Sequence, residues 1–285
     1  MIVALLLVLC SGLTHAVWNL FTKTSKNKRV FLWWIHIFAT VALLPNFVLE
    51  LSKGGFGYRG ILLMLGSLMF QCLYILLLPR AYERGDMSRT YPIMRGTGAL
   101  LVPVVSVWLY GESLSIIGWL GVLSIAAGLF VIGGFAGKRE KGEHSVLYFL
   151  IPAFMNGLCI TGYVLIDKSL LDYLSPLSLL ELGNIAYILI LTPLVLRSGE
   201  MKKELAINWR TIAVGAFLSP GSYFLFLLAV NIAPLSHVAP IREMGTVFGT
   251  LLGVFLLKEA NGWQRIAMSG VITAGVISIG FWGTP

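Results

Sequence analysis

The stretch YPIMRGTG, residues 91–98, begins an apolar run that carries an arginine, and APIREMG, residues 239–245, repeats it with one residue deleted. Two further stretches recur in the same order: SGLTHAVWNLFTKTS (11–25) matches NGLCITGYVLIDKSL (156–170), and LYGE (109–112) matches LLKE (256–259). The separation stays between 145 residues, from Gly12 to Gly157, and 148 residues, from Pro92 to Pro240. Such a constant separation indicates a chain built from two copies of one unit. The pairs that keep their identity include Gly12 and Gly157, Lys23 and Lys168, Pro92 and Pro240, Arg95 and Arg242, Gly98 and Gly245, and Glu112 and Glu259.

The composition indicates a membrane protein. Hydrophobic residues make up 57% of the 285 residues and charged residues only 12%, against about 25% charged residues in soluble domains. Charge-poor runs of about 20 residues are each long enough to cross a bilayer as a helix. They are continuous rather than alternating in polarity, which is typical of helices and not of a membrane barrel. The ten runs cover residues 2–21, 30–49, 61–79, 91–110, 114–134, 146–166, 176–196, 211–231, 237–257 and 263–282.

Five runs fall in each copy, and because five is odd the second copy enters the membrane from the opposite face. The predicted fold is an all-α integral membrane protein of the cell membrane, with ten transmembrane helices in two inverted five-helix repeats, residues 1–136 and 146–285. Such repeats are typical of transporters, which bind substrate near the middle of the membrane between the halves. Sixteen of the 21 Lys and Arg residues lie in connections after odd-numbered runs and three lie on the opposite side. This bias predicts that both termini lie outside the cytoplasm.

Three motifs together resemble a known family. They are HAVWNLFTK in the first run, YERGDMSRTYPIMRGTG…WLYGESLS in the first copy, and APLSHVAPIREMG…GVFLLKE in the second. The chain is similar to the EamA branch of the drug/metabolite transporter superfamily over essentially its whole length. The resemblance implies a ten-helix bundle, alternating access, a central cavity lined by helices 1, 3, 4, 6, 8 and 9, and small metabolites, amino acids or drugs as substrates, often moved outward. Related small multidrug resistance proteins have a first-helix carboxylate eight residues before the conserved lysine, but this chain has His15 before Lys23. Carboxylate-based proton exchange is therefore not expected at that position.

Arg95 and Arg242 lie inside apolar runs, where an arginine costs about 2.5–3.5 kcal/mol on insertion scales. One interpretation is a two-arginine clamp on a carboxylate or phosphate, because the planar guanidinium fork suits such groups. The other is a structural ion pair with Glu243, Glu83 or Asp86. The clamp predicts a secondary transporter that is driven by protons and exports a small anionic or zwitterionic metabolite.

Further polar residues are candidates for the same site. Glu181 and Glu243 lie inside apolar runs, where either can pair with an arginine, bind a substrate amine or exchange a proton. His15 can carry a proton near neutral pH, or stay neutral and bond to the backbone or to Asn19. A cavity needs apolar walls and a few polar groups, although Trp and Tyr are also common at membrane interfaces. The predicted lining residues are Trp18, Asn19 and Tyr91.

Other repeated residues are predicted to be structural. Pro92 and Pro240 are placed in the first turn of their helices, where the missing donor costs little, or they mark hinges. Glu112 and Glu259 are placed at the starts of helices 5 and 10, where a carboxylate suits the positive end of the helix dipole.

Membrane-enzyme motifs are absent from the sequence, which contains neither D-D-x-x-D nor H-E-x-x-H,. No enzymatic activity, metal or cofactor is therefore expected. The expected partners are a small-molecule substrate, protons and the lipid bilayer, and not nucleic acid. A flippase of a lipid-linked or amphipathic substrate, and efflux of drugs or cations, remain alternatives.

The predicted topology can be tested with reporter fusions in a bacterial host. Alkaline phosphatase, which is active only outside the cytoplasm, is expected to be active when fused after Pro285 and inactive when inserted between residues 138 and 141. The reverse pattern of activity would show that one membrane span has been miscounted.

Overall fold

The structure is a computed structural model that describes residues 2–84, 87–132, 146–258 and 262–283. Asp86, Glu259 and the predicted boundary between the halves at residues 137–145 lie outside these ranges. Within them the chain forms helices and no strands. The helices are α1 (Ile2–Thr24), α2 (Lys28–Ser52), α3 (Gly57–Arg84), α4 (Met87–Tyr110), α5 (Ile116–Ile132), α6 (Val146–Leu170), α7 (Pro176–Ser198), α8 (Met201–Ile232), α9 (Leu235–Ile241), α10 (Met244–Phe255) and α11 (Gly262–Trp282).

The helices have the length and polarity of membrane spans. Eight segments of the described chain are long and apolar enough to cross a bilayer, the eighth of them running through α9 and α10, and two shorter apolar helices cover Ile116–Val131 and Ile266–Trp282. Large apolar side chains are exposed on the outside of the bundle, for example Trp108 and Phe217, as expected where lipid rather than water is the solvent. The chain is therefore a multi-pass membrane protein.

Contacts between the two halves come in matched pairs. Helix α1 packs on α8 while α6 packs on α3, α2 packs on α7, and α5 packs on α11. The Ser11 hydroxyl donates to the Ser222 carbonyl oxygen at 2.6 Å, and the Asn156 amide donates to the Tyr74 carbonyl oxygen at 2.9 Å. Ser11 and Asn156 are separated by 145 residues, and Tyr74 and Ser222 by 148. The two copies thus make the same kind of contact with each other at the separations of the sequence repeat.

Two repeated glycines let helices of opposite halves approach closely. A Cβ atom on Gly12 of α1 would lie 2.8 Å from the amide nitrogen of Gly245 and 3.1 Å from the carbonyl oxygen of Arg242. A Cβ atom on Gly157 of α6 would lie 2.7 Å from the carbonyl oxygen of Met94 in α4. Any side chain would force these backbones apart, so the glycines hold α1 against the start of α10 and α6 against α4.

The ninth apolar run is interrupted at its charged residues. Helix α9 ends at Ile241 and α10 begins at Met244, so Arg242 and Glu243 occupy the break. The amides of Glu243 and Gly245 bond to the carbonyl oxygens three residues earlier, at 2.9 Å each, which satisfies the backbone through the break.

The expectation that Pro92 and Pro240 lie in the first turns of their helices was wrong. Helix α4 starts five residues before Pro92, and Pro240 is the next-to-last residue of α9, so the helix breaks just after Pro240.

Glu112 stabilises a different helix from the one expected. Its carboxylate accepts hydrogen bonds from the amides of Leu235 at 3.0 Å and Ser236 at 2.7 Å, in the first turn of α9, and from the Ser106 hydroxyl at 2.7 Å. The Lys168 ammonium lies 3.6 Å away. Burial alone would raise the pKa of Glu112, but the hydrogen bonds outweigh it and lower the pKa below its usual value. The carboxylate therefore joins the first half to the start of α9.

The crossing of α5 and α11 yields a matched test. A Cβ atom at Gly121 would lie 2.7 Å from the Gly275 carbonyl oxygen, whereas nothing lies within 4 Å of one at Gly270. Gly121→Ala is expected to destabilise the protein by about 1–3 kcal/mol through overpacking and to lower its melting temperature in detergent. Gly270→Ala gains the same helix propensity without a clash and is expected to leave the melting temperature unchanged or slightly raised. Equal melting temperatures for the two variants would contradict the close crossing.

Candidate functional site

A cavity lies between the two halves of the helix bundle. Its wall comes from α1, α2, α3, α6, α7 and α8, with Arg242 from the break after α9. The resemblance implied a contribution from helix 4 instead of helices 2 and 7, but no described side chain of α4 lines this cavity. Aromatic side chains form much of the wall: Trp18, Tyr74, Tyr163, Tyr187 and Tyr223. The longer polar side chains that face it are His15, His36, Gln71, Asn184 and Arg242.

Arg242 carries the positive charge of this cavity. Its guanidinium lies over the rings of Phe226 and Tyr223, with the central carbon 4.3 Å and 5.3 Å from the ring centroids, and such stacking on a ring face stabilises a cation. Its Nε donates to the Ser11 hydroxyl at 3.1 Å. Among the described residues, no carboxylate lies within 4.0 Å of this guanidinium. The Arg242 charge is therefore stabilised by rings and a hydroxyl, and it has no ion-pair partner in the described part of the chain.

Arg95 is placed differently from its repeat partner. Its Nη2 lies 2.7 Å from Glu243 Oε1, and its Nε donates to Glu243 Oε2 at 3.3 Å. The Thr246 hydroxyl donates to the same Oε2 at 3.0 Å. Both side chains of the pair are almost fully buried. Glu83, another predicted partner, instead lies 3.8 Å from the exposed Arg29. The two-point pair joins α4 of the first half to the helix break of the second.

Arg242 lines both the main cavity and a smaller crevice next to it. Arg95 and Glu243 line this crevice and not the main cavity. The structure thus brings the three predicted charged residues together, but only Arg242 faces the aromatic cavity. A clamp that used both arginines would require Arg95 to leave Glu243.

His15 and Trp18 line the cavity on the α1 side. The Trp18 indole N–H donates to His15 Nδ1 at 3.2 Å, and the Ser222 hydroxyl oxygen lies 3.4 Å from the same nitrogen. Because Nδ1 accepts a hydrogen bond, a neutral His15 carries its proton on Nε2. The imidazole is therefore held in one tautomer by its own helix.

Asn19 and Tyr91 lie one layer behind the cavity wall. Asn19 donates to the His15 carbonyl oxygen at 2.8 Å and accepts from the Tyr82 hydroxyl at 2.6 Å. The Tyr91 ring lies 6.0 Å from the His15 ring, and its buried hydroxyl has no hydrogen-bond partner among the described residues. Both side chains support His15 in this conformation, and their contact with a substrate stays a prediction.

Two buried acids lie behind the wall on the opposite side. Glu181 accepts a hydrogen bond from Asn184 at 3.2 Å. The second acid, Asp167, was not predicted as a site residue, because it directly follows the sixth predicted run and so did not count as a charge inside it. It accepts from the Ser67 hydroxyl at 2.5 Å and the Tyr223 hydroxyl at 2.6 Å. Tyr223 lines the cavity, so Asp167 fixes part of the wall that Arg242 stacks against. The signal that could have found Asp167 is its position beside Lys168 in a repeated motif.

Among the residues that the structure describes, no three His, Cys, Asp or Glu side chains lie close enough together to hold a metal ion. The polar groups that face the cavity are an arginine, imidazoles, amides and hydroxyls. This set can orient a small polar molecule between aromatic walls, which is the usual composition of a ligand site.

Comparisons with known proteins agree with the motif resemblance. Residues 146–281 match the model of the EamA-like transporter family, which lies in the drug/metabolite transporter superfamily. A protein of Lactiplantibacillus plantarum named "Putative sugar uptake protein" is 23% identical over 192 residues, which are 65% of this chain and 65% of that protein. A solved crystal structure shares 13% sequence identity and a TM-score of 0.67, and covers 98% of each chain, which shows a likeness of fold alone. The matched family model is described as a transporter family, and the relative's name is that of an uptake protein.

The buried ion pair can be tested by a double-mutant cycle. Removing one partner leaves the other charge buried and unpaired, so Arg95→Met and Glu243→Leu are each expected to cost about 3–5 kcal/mol of stability. Arg95→Met combined with Glu243→Leu is expected to recover most of the lost melting temperature, because neither charge remains. The exposed pair is the control, and Arg29→Met is expected to change stability by less than about 1 kcal/mol. Additive losses in the double variant would contradict the pair.

Proposed function

We propose that this protein, whose residues 146–281 belong to the EamA-like transporter family, is a secondary active transporter of a small metabolite that carries a carboxylate or phosphate. The observation that carries the proposal is Arg242, a buried guanidinium that faces the cavity without a described carboxylate partner. A charge in this position is costly inside a membrane and usually serves a substrate or a pathway. An anionic group bound there supplies the missing partner through charge-assisted hydrogen bonds.

The charge balance of the cavity supports an anion or zwitterion. Glu243 neutralises Arg95, and no acid lines the cavity in the described part of the chain. A cationic drug would therefore meet Arg242 without a compensating carboxylate, so cation efflux is less favoured. The anchor becomes one arginine rather than two, with His36, Gln71 and Asn184 available for the rest of the substrate.

Alternating access between two inverted repeats is the proposed mechanism. The matched bonds of Ser11 and Asn156 support it, since each half meets the other through equivalent positions. The break between α9 and α10 also supports it, because transporters commonly bind substrate where a membrane helix is discontinuous. Arg242 faces the cavity and Glu243 holds the other half, so a rocking motion of the halves would change the cavity and the ion pair together. Export across the plasma membrane, with both termini outside the cytoplasm, is part of the proposal.

A neutral polyhydroxylated substrate is the second candidate. The aromatic walls and the amide groups of Gln71 and Asn184 suit the apolar faces and hydroxyl groups of a sugar,. The relative named "Putative sugar uptake protein" also favours it, and its name indicates movement inward. In this case Arg242 would donate to hydroxyl groups and would not require a charged ligand.

Transport by purified protein in liposomes distinguishes the two candidates. The panel contains carboxylates, amino acids, sugar phosphates and neutral sugars, tested with wild type and Arg242→Gln. If the anion is correct, Arg242→Gln lowers transport of the accepted anion about tenfold or more, the equivalent of one lost charged hydrogen bond. The control is Arg210→Gln, since Arg210 stacks on the exposed Trp209 and is expected to transport normally. Uptake of a neutral sugar alone, retained in Arg242→Gln, would contradict the anion and favour the second candidate.

A further inference from the structure

The seam between α2 and α7 contains a row of buried polar side chains behind the cavity. On α7, Ser178, Glu181 and Asn184 recur at every third position, and on α2 His36 and Thr40 lie against them. His36, Glu181 and Asn184 are each 3% exposed or less. Two apolar helices would not need such a row for packing alone, since leucines pack well in the same place.

One amide connects the acid to the cavity. The Asn184 Nδ2 group donates to Glu181 Oε2 at 3.2 Å, and its Oδ1 accepts from His36 Nδ1 at 2.9 Å. His36 and Asn184 line the cavity, whereas Glu181 lies one helical turn behind it. Because His36 donates through Nδ1, its neutral form presents Nε2 as an acceptor. Asn184 thus sets both the position of the Glu181 carboxyl and the tautomer of His36.

Three atoms in this row have no hydrogen-bond partner among the described residues: Glu181 Oε1, Thr40 Oγ1 and His36 Nε2. Buried polar groups of a purely structural network are usually all satisfied. The Thr40 hydroxyl lies beside this carboxyl group and can donate to an ionised Glu181 or accept from a protonated one,. The row therefore accommodates Glu181 with or without a proton, which a fully hydrogen-bonded network would not do.

The surroundings offer Glu181 no charged partner. Among the described side chains, only Asn184 and Thr40 act directly on its carboxyl. From α3, Gln71 lies against Gly183 and the Cys72 thiol donates to the Ala186 carbonyl oxygen. From α8, Leu227 packs in the apolar cluster around α7. Besides Lys28 and Arg29 in its first turn, α2 contributes the titratable groups His36 and, at the far end of the seam, Glu50.

At that far end of the seam, Glu50 bonds to the residues at the start of α7. Its carboxylate accepts from the Ser175 amide at 2.7 Å and from the hydroxyls of Ser175 and Ser178. No hydrogen bond joins Ser178 to Glu181 in the described structure. The hydrogen-bonded connection of Glu181 therefore leads towards the cavity and not along the seam to the membrane surface.

We propose that Glu181 reversibly binds one proton exchanged through the cavity, with Asn184 and His36 as positioning residues that connect its protonation state to the cavity wall. The carboxylate gains one proton and becomes a neutral carboxyl, and it releases that proton in the reverse step, with no other bond made or broken. The use of the proton to drive transport rests on the proposed function, but the binding itself does not.

Infrared difference spectroscopy tests the proton directly and requires no substrate. The whole protein is purified in a maltoside detergent, which has no carbonyl group, and its spectrum is recorded over a series of pH values. The C=O stretching band of protonated carboxyls is expected to rise as pH falls, and one component of it is expected to be lost in Glu181→Gln and to remain in Asp167→Asn. An identical pH-dependent carboxyl band in wild type and Glu181→Gln would overturn the proposal. Because no substrate is used, this failure is distinct from a failure to transport anions.

Two more variants keep the test decisive. If Glu181→Gln does not fold, Glu181→Asp retains a carboxyl one methylene shorter, and the band is expected to shift in frequency; an unshifted band would assign it to another residue. Asn184→Leu removes the amide donor to the carboxylate, so the pH midpoint of the Glu181 component is expected to move. Ser178→Ala, one turn away on the same face of α7, is the matched control: the Glu181 component is expected to keep its midpoint, while the Glu50 carboxyl, which loses a donor, shifts. A midpoint that stays the same in Asn184→Leu would refute the positioning role.

Discussion

The pairing of Arg95 with Glu243 is the constraint on which the centre of this protein depends. Hydrocarbon provides no water to solvate a guanidinium or a carboxylate, so each group needs a partner inside the bundle. The two charges come from opposite halves, and their contact is two-pointed and almost fully buried. Separating the halves at this point exposes both charges to an apolar medium. The ion pair therefore fixes which turn of α4 faces the break between α9 and α10, and it positions Arg242 beside the cavity.

The two copies differ at the residue that makes this pair. With one residue deleted, Arg95 aligns with Arg242, and the residue after each is Gly96 in the first copy and Glu243 in the second. Gly96 leaves room for Leu129, whose side chain would lie within 3.0 Å of a Cβ atom there. The repeat thus supplies two buried arginines but only one acid between them. As a result, one arginine is neutralised and joins the halves, while the other keeps its charge at the cavity.

Local patterns in the sequence predicted the membrane spans and the family, because length and apolarity are properties of single helices. The apolar runs lie inside the observed helices or overlap them closely, and the family match covers residues 146–281. The partners of Arg95 and Glu112 could not be predicted in this way. Glu112 contacts Leu235 and Ser236, more than 120 residues later, and nothing in either segment encodes that distance. Pro240 misled for a related reason, because the apolar run continues through a break that only the buried charges require.

The cavity wall separates two kinds of charge. Arg242 faces the cavity, while Asp167 and Glu181 lie behind it and are held by neutral donors. Each acid reaches the cavity through a single wall residue, since Tyr223 bonds to Asp167 and lies under the Arg242 guanidinium, and Asn184 bonds to Glu181. Acids in direct contact with Arg242 would pair with its charge and leave it unavailable to the proposed anionic substrate. Placing them one residue away leaves Arg242 without an ion-pair partner among the described residues, and it lets any movement of Tyr223 or Asn184 change the surroundings of both an acid and the cavity.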